Sequence, residues 1–301
     1  MGNAEQQKKR IPVILDTDIG GDIDDTWALA MMLLSPELDI KLITTVPGTA
    51  TQAKIVAKML ETAGRTDIPI GMNACEDSFA AFSQAAWTDG YDLGKYAGKI
   101  YKNGAQAIVE TIMGAEGEVS VVAIGVATNI ALALDMRAEI AQKSRFVGMY
   151  GSIYKGYENS DTISAEANVS KVGDLRKVFA APWDITITPL DTCGLVVLKG
   201  DKYQKVLNCE KPIIKALMEN YKAWLGKDED NWYGSRSSTL FDTVAVYLAF
   251  SEALLRIEGI GLRITDDAYT LVDEGAKKIR CAISWDDLGA YEDFLVERLT
   301  G

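Results

Sequence analysis

The sequence of 301 residues contains no histidine. Mechanisms that need a histidine as base, acid or metal ligand are therefore excluded, including histidine-containing catalytic triads and ordinary histidine-bearing zinc sites. The four cysteines are scattered, so the chain has no Cys-x-x-Cys metal or redox motif. No stretch approaches about eighteen uninterrupted apolar residues, so no membrane-spanning helix is expected.

Positive charge is also scarce. The chain carries 31 lysines and arginines against 43 acidic residues, which gives a formal net charge of −12. Because nucleic acids and anionic membrane surfaces repel such a chain, we expect neither to be its main partner. A small neutral or cationic substrate, or an anionic one held through a metal, fits this charge better.

Length and composition fit one domain with a sizeable core. Hydrophobic residues make up 48% of the chain, and no clear linker or repeat interrupts residues 11–301. We therefore expect a single domain over 11–301. Residues 1–10 are polar and predict a disordered tail, or a start from which an export signal has been removed. Scattered thiols favour a reducing cytoplasm.

The most informative segment is residues 16–25, Asp-Thr-Asp-Ile-Gly-Gly-Asp-Ile-Asp-Asp, which holds five carboxylates. It follows an apolar run over 11–15, and this order predicts a buried strand, a glycine turn and a helix starting near Asp24. So many like charges repel one another unless a hard cation lies among them. Because open α/β sheets bind ligands at the carboxyl ends of their strands, the segment predicts a metal-centred active site.

Other motifs fit this acidic turn less well. An EF-hand loop starting at Asp16 would place Trp27 at the position where a bidentate glutamate is needed. A phosphate-binding P-loop needs Gly-Lys-Ser/Thr, which the turn lacks. A haloacid-dehalogenase-type phosphatase begins with a strand and Asp-x-Asp, but no convincing later lysine and Asp-Asp set follows. The remaining alternative is a solvated acidic turn that only caps a helix.

Strand-like apolar runs alternate with helix-like stretches along the chain. Strands are predicted over 12–16, 38–46, 68–71, 119–124, 145–148 and 185–188. Helices are predicted over 24–34, 50–63, 105–113, 129–134, 174–180, 240–250 and, after an N-cap at Ser284, 285–299. This alternation predicts an α/β fold with an open, mainly parallel sheet flanked by helices. A hairpin is expected between 269–273 and 277–283, and functional loops over 74–100 and 226–238.

Several segments together resemble the inosine-uridine-preferring nucleoside hydrolase family. The acidic turn is similar to the family signature Asp-x-Asp-Pro-Gly-x-Asp-Asp, although it is two residues longer. Four later segments match in order, namely Ile43-Thr-Thr-Val-Pro-Gly48, Val122-Ala-Ile-Gly-Val-Ala-Thr-Asn-Ile130, Glu166-Ala-Asn168 and Leu240-Phe-Asp242-Thr-Val-Ala-Val-Tyr247. The resemblance covers nearly the whole chain. It implies a Rossmann-like core, hydrolysis of the N-glycosidic bond of ribonucleosides, one bound Ca²⁺, and a homodimer or homotetramer.

The resemblance also assigns roles to individual residues. The Ca²⁺ ligands would be Asp18, Asp25, Asp242 and the backbone carbonyl of Ile124. Asp18 would also be the general base, and Asp24 would contact the ribose 2′-hydroxyl and serve catalysis. Glu166 and Asn168 would hold the ribose 5′- and 3′-hydroxyls. The chemistry agrees, because Ca²⁺ takes six to eight oxygen ligands and a bound metal acidifies water.

The chain departs from the family at the leaving-group acid. Phe241 stands where many members carry a histidine that protonates the base, and losing a general acid costs about 10²–10⁴-fold in rate. Stacking two aromatic side chains on the base would offset this loss, at about 1–3 kcal/mol per base. Trp87 and Trp232 are the candidates, which predicts a purine preference. A donor to the base would instead come from Tyr233, Tyr91 or Arg236.

Two smaller departures affect the ribose side. The longer turn leaves open whether Asp22 or Asp24 makes the sugar contact, so Asp22 is also a substrate-binding candidate. Thr49 replaces an asparagine usually found after the glycine and is a further candidate. Two other functions stay open at this point. One is a metal-dependent hydrolase or phosphatase for another small molecule, and the other is a catalytically silent ribose- or nucleoside-binding protein, which Phe241 favours.

Overall fold

One ten-stranded sheet runs through the part of the chain that the computed structural model describes, residues 9–73, 82–167, 171–226 and 232–301. Its strands are β1 Ile11–Thr17, β2 Leu38–Thr45, β3 Ile70–Gly71, β4 Ile100–Tyr101, β5 Val119–Ala123, β6 Ser144–Met149, β7 Ile185–Thr188, β8 Leu255–Ile264, β9 Thr270–Val272 and β10 Lys278–Trp285. Their order across the sheet is β4-β3-β2-β1-β5-β6-β7-β10-β8-β9. Strands β1 to β7 and β10 each pair in parallel with their neighbours in this set. The predicted α/β fold with a mainly parallel sheet is therefore confirmed.

Strand β1 lies in the middle of the sheet, between β2 and β5. Its residues 13–17 are buried, as expected for a strand that is covered by helices on both faces. Successive side chains of a strand point to opposite faces, and Val13 and Leu15 accordingly join one hydrophobic core while Ile14 joins the other. The acidic turn therefore begins at the buried carboxyl end of a central strand of the parallel sheet.

Helices cover both faces of the sheet. In the described residues they are α1 Asp24–Leu33, α2 Ala50–Thr62, α3 Gly104–Gly114, α4 Thr128–Met136, α5 Val172–Ala180, α6 Leu190–Cys193, α7 Gly200–Leu207, α8 Pro212–Leu225, α9 Phe241–Leu248 and α10 Leu288–Thr300. Helices α1, α2, α8, α9 and α10 contribute to the core with Val13, and α3, α4 and α5 to the core with Ile14. This arrangement puts α1 and α9 side by side at the acidic turn.

Two predictions at the C-terminal end were wrong. The segments around Thr270 and Lys278 do not form a hairpin with each other, because both pair antiparallel with β8, which lies between them. The sequence analysis did not predict β8, because glycines 259 and 261 interrupt its strand-like pattern. The last helix begins at Leu288 and is capped by Asp287, whose carboxylate accepts the Ala290 N–H at 2.9 Å. Ser284 instead continues β10.

Three further expectations concern the chain as a whole. A single domain over 11–301 stays a prediction, which is supported by one sheet that joins strands from residue 11 to residue 285. Most of the predicted tail, residues 1–8, lies outside the described residues. Within the described part of the chain, no helix is long and apolar enough to cross a membrane.

Candidate active site

The acidic turn links the end of β1 to the start of α1. Asp16 is the last but one residue of β1, and Asp24 and Asp25 open α1 with their side chains buried. The Thr17 hydroxyl donates a hydrogen bond to the Asp25 carboxylate. Gly20 permits the turn because its φ of +116° is strained for any side chain. The two residues of extra length are thus absorbed in the turn, and the buried carboxylates stay at the helix start.

A second helix brings another carboxylate to the same point. Asp242 lies in the first turn of α9, where it is 4% exposed. One oxygen each from Asp24, Asp25 and Asp242 lie within 4.8 Å of one another. The side chains of Asp24 and Asp242 are in hydrogen-bonding contact. Residues more than 200 positions apart in sequence therefore form one buried acidic cluster.

The electrostatics of this cluster are unfavourable to negative charge. Burial, followed by the charge of Asp22, raises the pKa of Asp24 to about 7, and burial raises the pKa of Asp18 to about 6. The pKa values of Asp25 and Asp242 lie well above the usual range because of burial and the neighbouring carboxylates. An opposite charge placed among such carboxylates favours their ionised form.

The donor set fits a hard cation. No lysine or arginine is found among the described residues that line the cavity around the cluster. The lining does include Ile124, the residue that follows β5. Carboxylate and carbonyl oxygens are the ligands that Ca²⁺ prefers, and Mg²⁺ and Mn²⁺ also take them. A divalent cation would supply the charge that the side chains lack.

The cluster forms the floor of a cavity of about 460 Å³. Eight of the residues predicted from the sequence line this cavity, namely Asp18, Asp22, Asp24, Asp25, Ile124, Glu166, Phe241 and Asp242. Glu166 is partly buried, and its pKa is raised to about 7 by burial and then by the charge of Asp22. Asn168 lies outside the described residues. The cavity therefore has an acidic floor and a wall that includes an aromatic side chain.

Four other predicted substrate-binding residues lie away from the cavity lining, namely Thr49, Trp87, Trp232 and Tyr233. Thr49 is fully buried as the N-cap of α2, where its hydroxyl accepts the Gln52 N–H at 3.3 Å. Trp87 is 8% exposed and packs under the ammonium group of Lys58, 3.9 Å from the ring centre. Their side chains are engaged in capping and in packing. Substrate contacts by Thr49 and Trp87 stay predictions that no observation in this structure supports.

The second irregular loop contributes its aromatic side chains to another surface. Trp232 stacks with the guanidinium group of Arg236, 4.4 Å from the ring centre, and Tyr233 packs against Tyr221. Neither of them lines the cavity, and the same holds for Tyr91 and Arg236, the other proposed donors. The structure therefore does not bring Trp87 and Trp232 together around a base.

The sequence analysis missed the residues that brace the acidic turn. Ser83 donates a hydrogen bond to the Gly21 carbonyl at 2.6 Å. The buried Gln84 donates to the Asp22 carbonyl at 2.6 Å and accepts the Thr26 hydroxyl at 3.2 Å. The location of Ser83 and Gln84 in the long irregular segment was the available signal. Their side chains fix the shape of the turn through its backbone.

A polar network supports the turn from the other side. The Asp16 carboxylate accepts hydrogen bonds from Thr44 at 2.5 Å and from Asn129 at 2.8 Å. Asn129 in turn accepts from Asn73 at 3.0 Å, and Asn73 accepts the Gly104 N–H at 3.2 Å. The network joins the ends of β1, β2 and β3 to α3 and α4. Asp16 therefore has a structural role beside the cavity.

Comparison with known proteins decides the family. A family model described as inosine-uridine preferring nucleoside hydrolase matches residues 13–288. The chain belongs to this family. It is accordingly an N-ribosyl hydrolase that acts on ribonucleosides, and the predicted family and enzyme class are confirmed.

Individual relatives agree with this assignment. Uridine nucleosidase 1 of Arabidopsis thaliana is 27% identical to this chain, and the alignment covers 95% of this chain and 88% of that protein. The non-specific ribonucleoside hydrolase RihC of Klebsiella pneumoniae is 32% identical, over 71% of this chain and 73% of its own length. Among solved structures, the plant nucleoside hydrolase PpNRh1 superposes with a TM-score of 0.80 at 21% identity, covering 97% of this chain and 100% of that one. This last likeness shows the common fold.

The close contact between β5 and the acidic turn generates a testable prediction. A Cβ atom at Gly125 would lie 2.5 Å from the backbone nitrogen of Asp18 and 2.9 Å from the carbonyl carbon of Thr17. Gly125→Ala must therefore push Asp18 away. We expect kcat/KM to fall by about 100-fold, since small misplacements have effects of that size, and the free energy of unfolding to fall by about 1–3 kcal/mol.

The matched control is Gly117→Ala, because no atom lies within 4 Å of a Cβ at that exposed position. Steady-state kinetics and urea unfolding of both variants test the prediction. Wild-type kinetics in Gly125→Ala would show that the spacing between β5 and the turn does not control the site.

Proposed function

We propose that this hydrolase cleaves ribonucleosides to ribose and free base with Ca²⁺ held by Asp18, Asp25, Asp242 and the carbonyl oxygen of Ile124. The observation that carries the proposal is the convergence of Asp24, Asp25 and Asp242 on one point of a cavity that Asp18 also lines and that has no described basic lining residue. Ca²⁺ tolerates many oxygen ligands in flexible geometry, whereas Mg²⁺ demands a near-ideal octahedron. Three carboxylates and a carbonyl from different parts of the fold, with sugar hydroxyls added, suit the larger ion.

A divalent ion held by these residues would supply positive charge that acidifies a water molecule and orients the sugar. The protein side chains perform the other tasks. Asp18 lines the cavity at the turn and accepts the proton of the attacking water. Asp24 holds the ribose 2′-hydroxyl, and Glu166 the 5′-hydroxyl. Asn168 is proposed for the 3′-hydroxyl and Asp22 for a further sugar contact.

The acidic floor also favours the transition state. Cleavage of an N-glycosidic bond builds positive charge on the ribose ring, as in glycoside hydrolysis generally. Carboxylates held in place before the reaction stabilise such charge without reorganisation. Asp22 and Asp24 face the cavity from the turn and from α1. They are thus the proposed electrostatic partners of the developing cation.

Metal dependence is tested by removing one carboxylate. In wild-type protein, Ca²⁺ at 100 times its Kd is expected to raise the free energy of unfolding by about 2.7 kcal/mol, because the ion binds the folded state. Asp25→Asn is expected to lose this gain together with the release of base. The assay combines thermal unfolding with base release from inosine, guanosine, adenosine, uridine and cytidine, with Ca²⁺ and after chelation.

Asp201→Asn is the matched control, because Asp201 is an exposed residue at the start of α7. It should keep both the Ca²⁺ stabilisation and the activity. Activity that survives full chelation would refute the metal proposal. Tight Ca²⁺ binding without base release from any nucleoside would favour the silent binding protein, and a strict Mg²⁺ requirement the phosphatase-like alternative.

We also propose that purine nucleosides are preferred, although not through the tryptophan pair. Tyr157 and Phe241, two of the three aromatic residues in the described cavity lining, have their rings 6.0 Å apart and nearly perpendicular. A purine presents a larger face to such a wall than a pyrimidine does, and aromatic contact contributes about 1–3 kcal/mol per base. We expect kcat/KM for inosine and guanosine to exceed that for uridine by about tenfold or more. Equal values in a competition assay would contradict this preference.

The setting of the enzyme completes the proposal. We propose a cytoplasmic homodimer or homotetramer that has neither nucleic acid nor membrane as a partner. The family resemblance supports the oligomer, and the net charge of −12 disfavours polyanionic partners. Light scattering coupled to gel filtration gives the mass in solution. A single species at the 32.8 kDa of one chain would rule out the oligomer.

A further inference from the structure

A strained loop presents one tyrosine to the cavity. Tyr157 is followed by Glu158 and Asn159, both with left-handed backbone conformations at φ of 56° and 60°. Such conformations are uncommon for residues other than glycine, asparagine and aspartate, so Glu158 is the unusual case. Such conformations persist only where the surrounding structure imposes them, and they concentrate at functional sites.

The loop is fixed at several points. The carboxylate of Asp191 accepts the backbone N–H groups of Ile153 and Tyr154 at 2.9 and 2.8 Å. The Ser152 hydroxyl donates to the Lys155 carbonyl at 2.6 Å and accepts the Ser164 N–H at 2.9 Å. These contacts pin both ends of the loop beneath Tyr157. The backbone on both sides of Tyr157 is therefore held in position.

Two contacts orient the Tyr157 side chain. Its hydroxyl donates a hydrogen bond to the Glu166 carboxylate. Its ring meets Phe241 at 88°, with the ring centres 6.0 Å apart. Phe241 is the residue that replaces the histidine acid of many family members. The hydroxyl of Tyr157 thus lies in the same part of the cavity as the missing acid.

Other proton donors of the described cavity lining are engaged elsewhere. Tyr150 is 2% exposed, and its hydroxyl donates to the Gly125 carbonyl at 2.6 Å. The aspartates belong to the acidic floor and face the ribose. Tyr157 is 47% exposed, which leaves its hydroxyl accessible to a bound molecule. Of the described lining residues, Tyr157 and its hydrogen-bond partner Glu166 remain as candidates to donate a proton to the base.

We propose that Tyr157 is the catalytic residue that protonates the leaving base, with Glu166 as the group that restores its proton. This inference rests on the proposed ribonucleoside hydrolysis. As the bond between C1′ and the base nitrogen breaks, its electron pair goes to the base, which takes the Tyr157 proton. Water forms the new bond to C1′ and gives its proton to Asp18. Protonated Glu166 donates to the Tyr157 oxygen, which leaves the Tyr157 proton free for the base. Tyr157 then takes the Glu166 proton, Glu166 is reprotonated from solvent and Asp18 returns its proton to solvent, so nucleoside and water give ribose and neutral base.

The position of Glu166 agrees with this role. Burial, followed by the charge of Asp22, raises its pKa to about 7, so near neutral pH a large fraction of this carboxyl group carries a proton. The carboxyl group has two oxygens, one bonded to Tyr157 and one available to the ribose. A single residue can therefore serve both the sugar and the proton transfer.

The test uses leaving groups that differ in their need for a proton. Tyr157→Phe keeps the ring and removes only the hydroxyl. With the nucleoside that the wild type cleaves fastest, kcat/KM is expected to fall by about 10²–10⁴-fold, the usual contribution of a general acid. With nitrophenyl riboside, whose phenolate leaves without protonation, the fall should be at most a few-fold.

Tyr154→Phe is the matched control, because Tyr154 is an exposed tyrosine of the same loop that does not line the cavity. It should match the wild type on both substrates. An equal loss on both substrates in Tyr157→Phe would assign the residue to substrate binding and overturn the proposal, and so would unchanged nucleoside cleavage. A wild type that hydrolyses neither substrate would refute the proposed function itself, which separates the two failures.

Discussion

Mutual repulsion of carboxylates at the carboxyl end of β1 is the constraint on which the site depends. Asp24, Asp25 and Asp242 approach within 4.8 Å while buried from water, an arrangement that is unfavourable without a cation. The fold imposes it through hydrophobic packing, since α1 and α9 lie in one core. Serine and glutamine side chains after residue 82 brace the turn from outside. Packing energy is thus used to hold charges where a metal and a sugar need them.

The cavity has a charged side and an uncharged side. The floor carries the carboxylates and the proposed metal ligands, which suit a polyhydroxylated ribose and the positive charge that it develops. The wall at Phe241 and Tyr157 is aromatic and carries no formal charge, which suits a planar base. Glu166 lies at the boundary and contacts Tyr157. This division explains how a site can lose a histidine at position 241 without losing its overall organisation.

Much of the sheet and the acidic turn could be predicted from the sequence, because both follow from local signals, whereas Asp242 was assigned to the floor only through the family resemblance. Alternating strands and helices, and a run of carboxylates after a buried strand, are visible without long-range information. Strand β8 was not predicted because its glycines interrupt the strand-like pattern. The pairing of β9 and β10 was therefore also predicted wrongly, since both strands pair with β8. The side chains on the proposed base side of the cavity were not predicted correctly either. Trp87 and Trp232 lie in the expected loops, but their orientation is set by Lys58 and Arg236.

The charge of the cavity also bears on which ribosides it accepts. Glu166 would face the 5′-position of a bound ribose, and no lysine or arginine is among the described residues lining the cavity. A 5′-phosphate would bring about two negative charges towards this carboxylate and the acidic floor. A desolvated like-charge contact is a repulsive element that costs far more than the lost hydrogen bond of the 5′-hydroxyl. On the proposed binding mode, the residues that make the floor suitable for a cation and a neutral sugar would therefore also disfavour nucleotides.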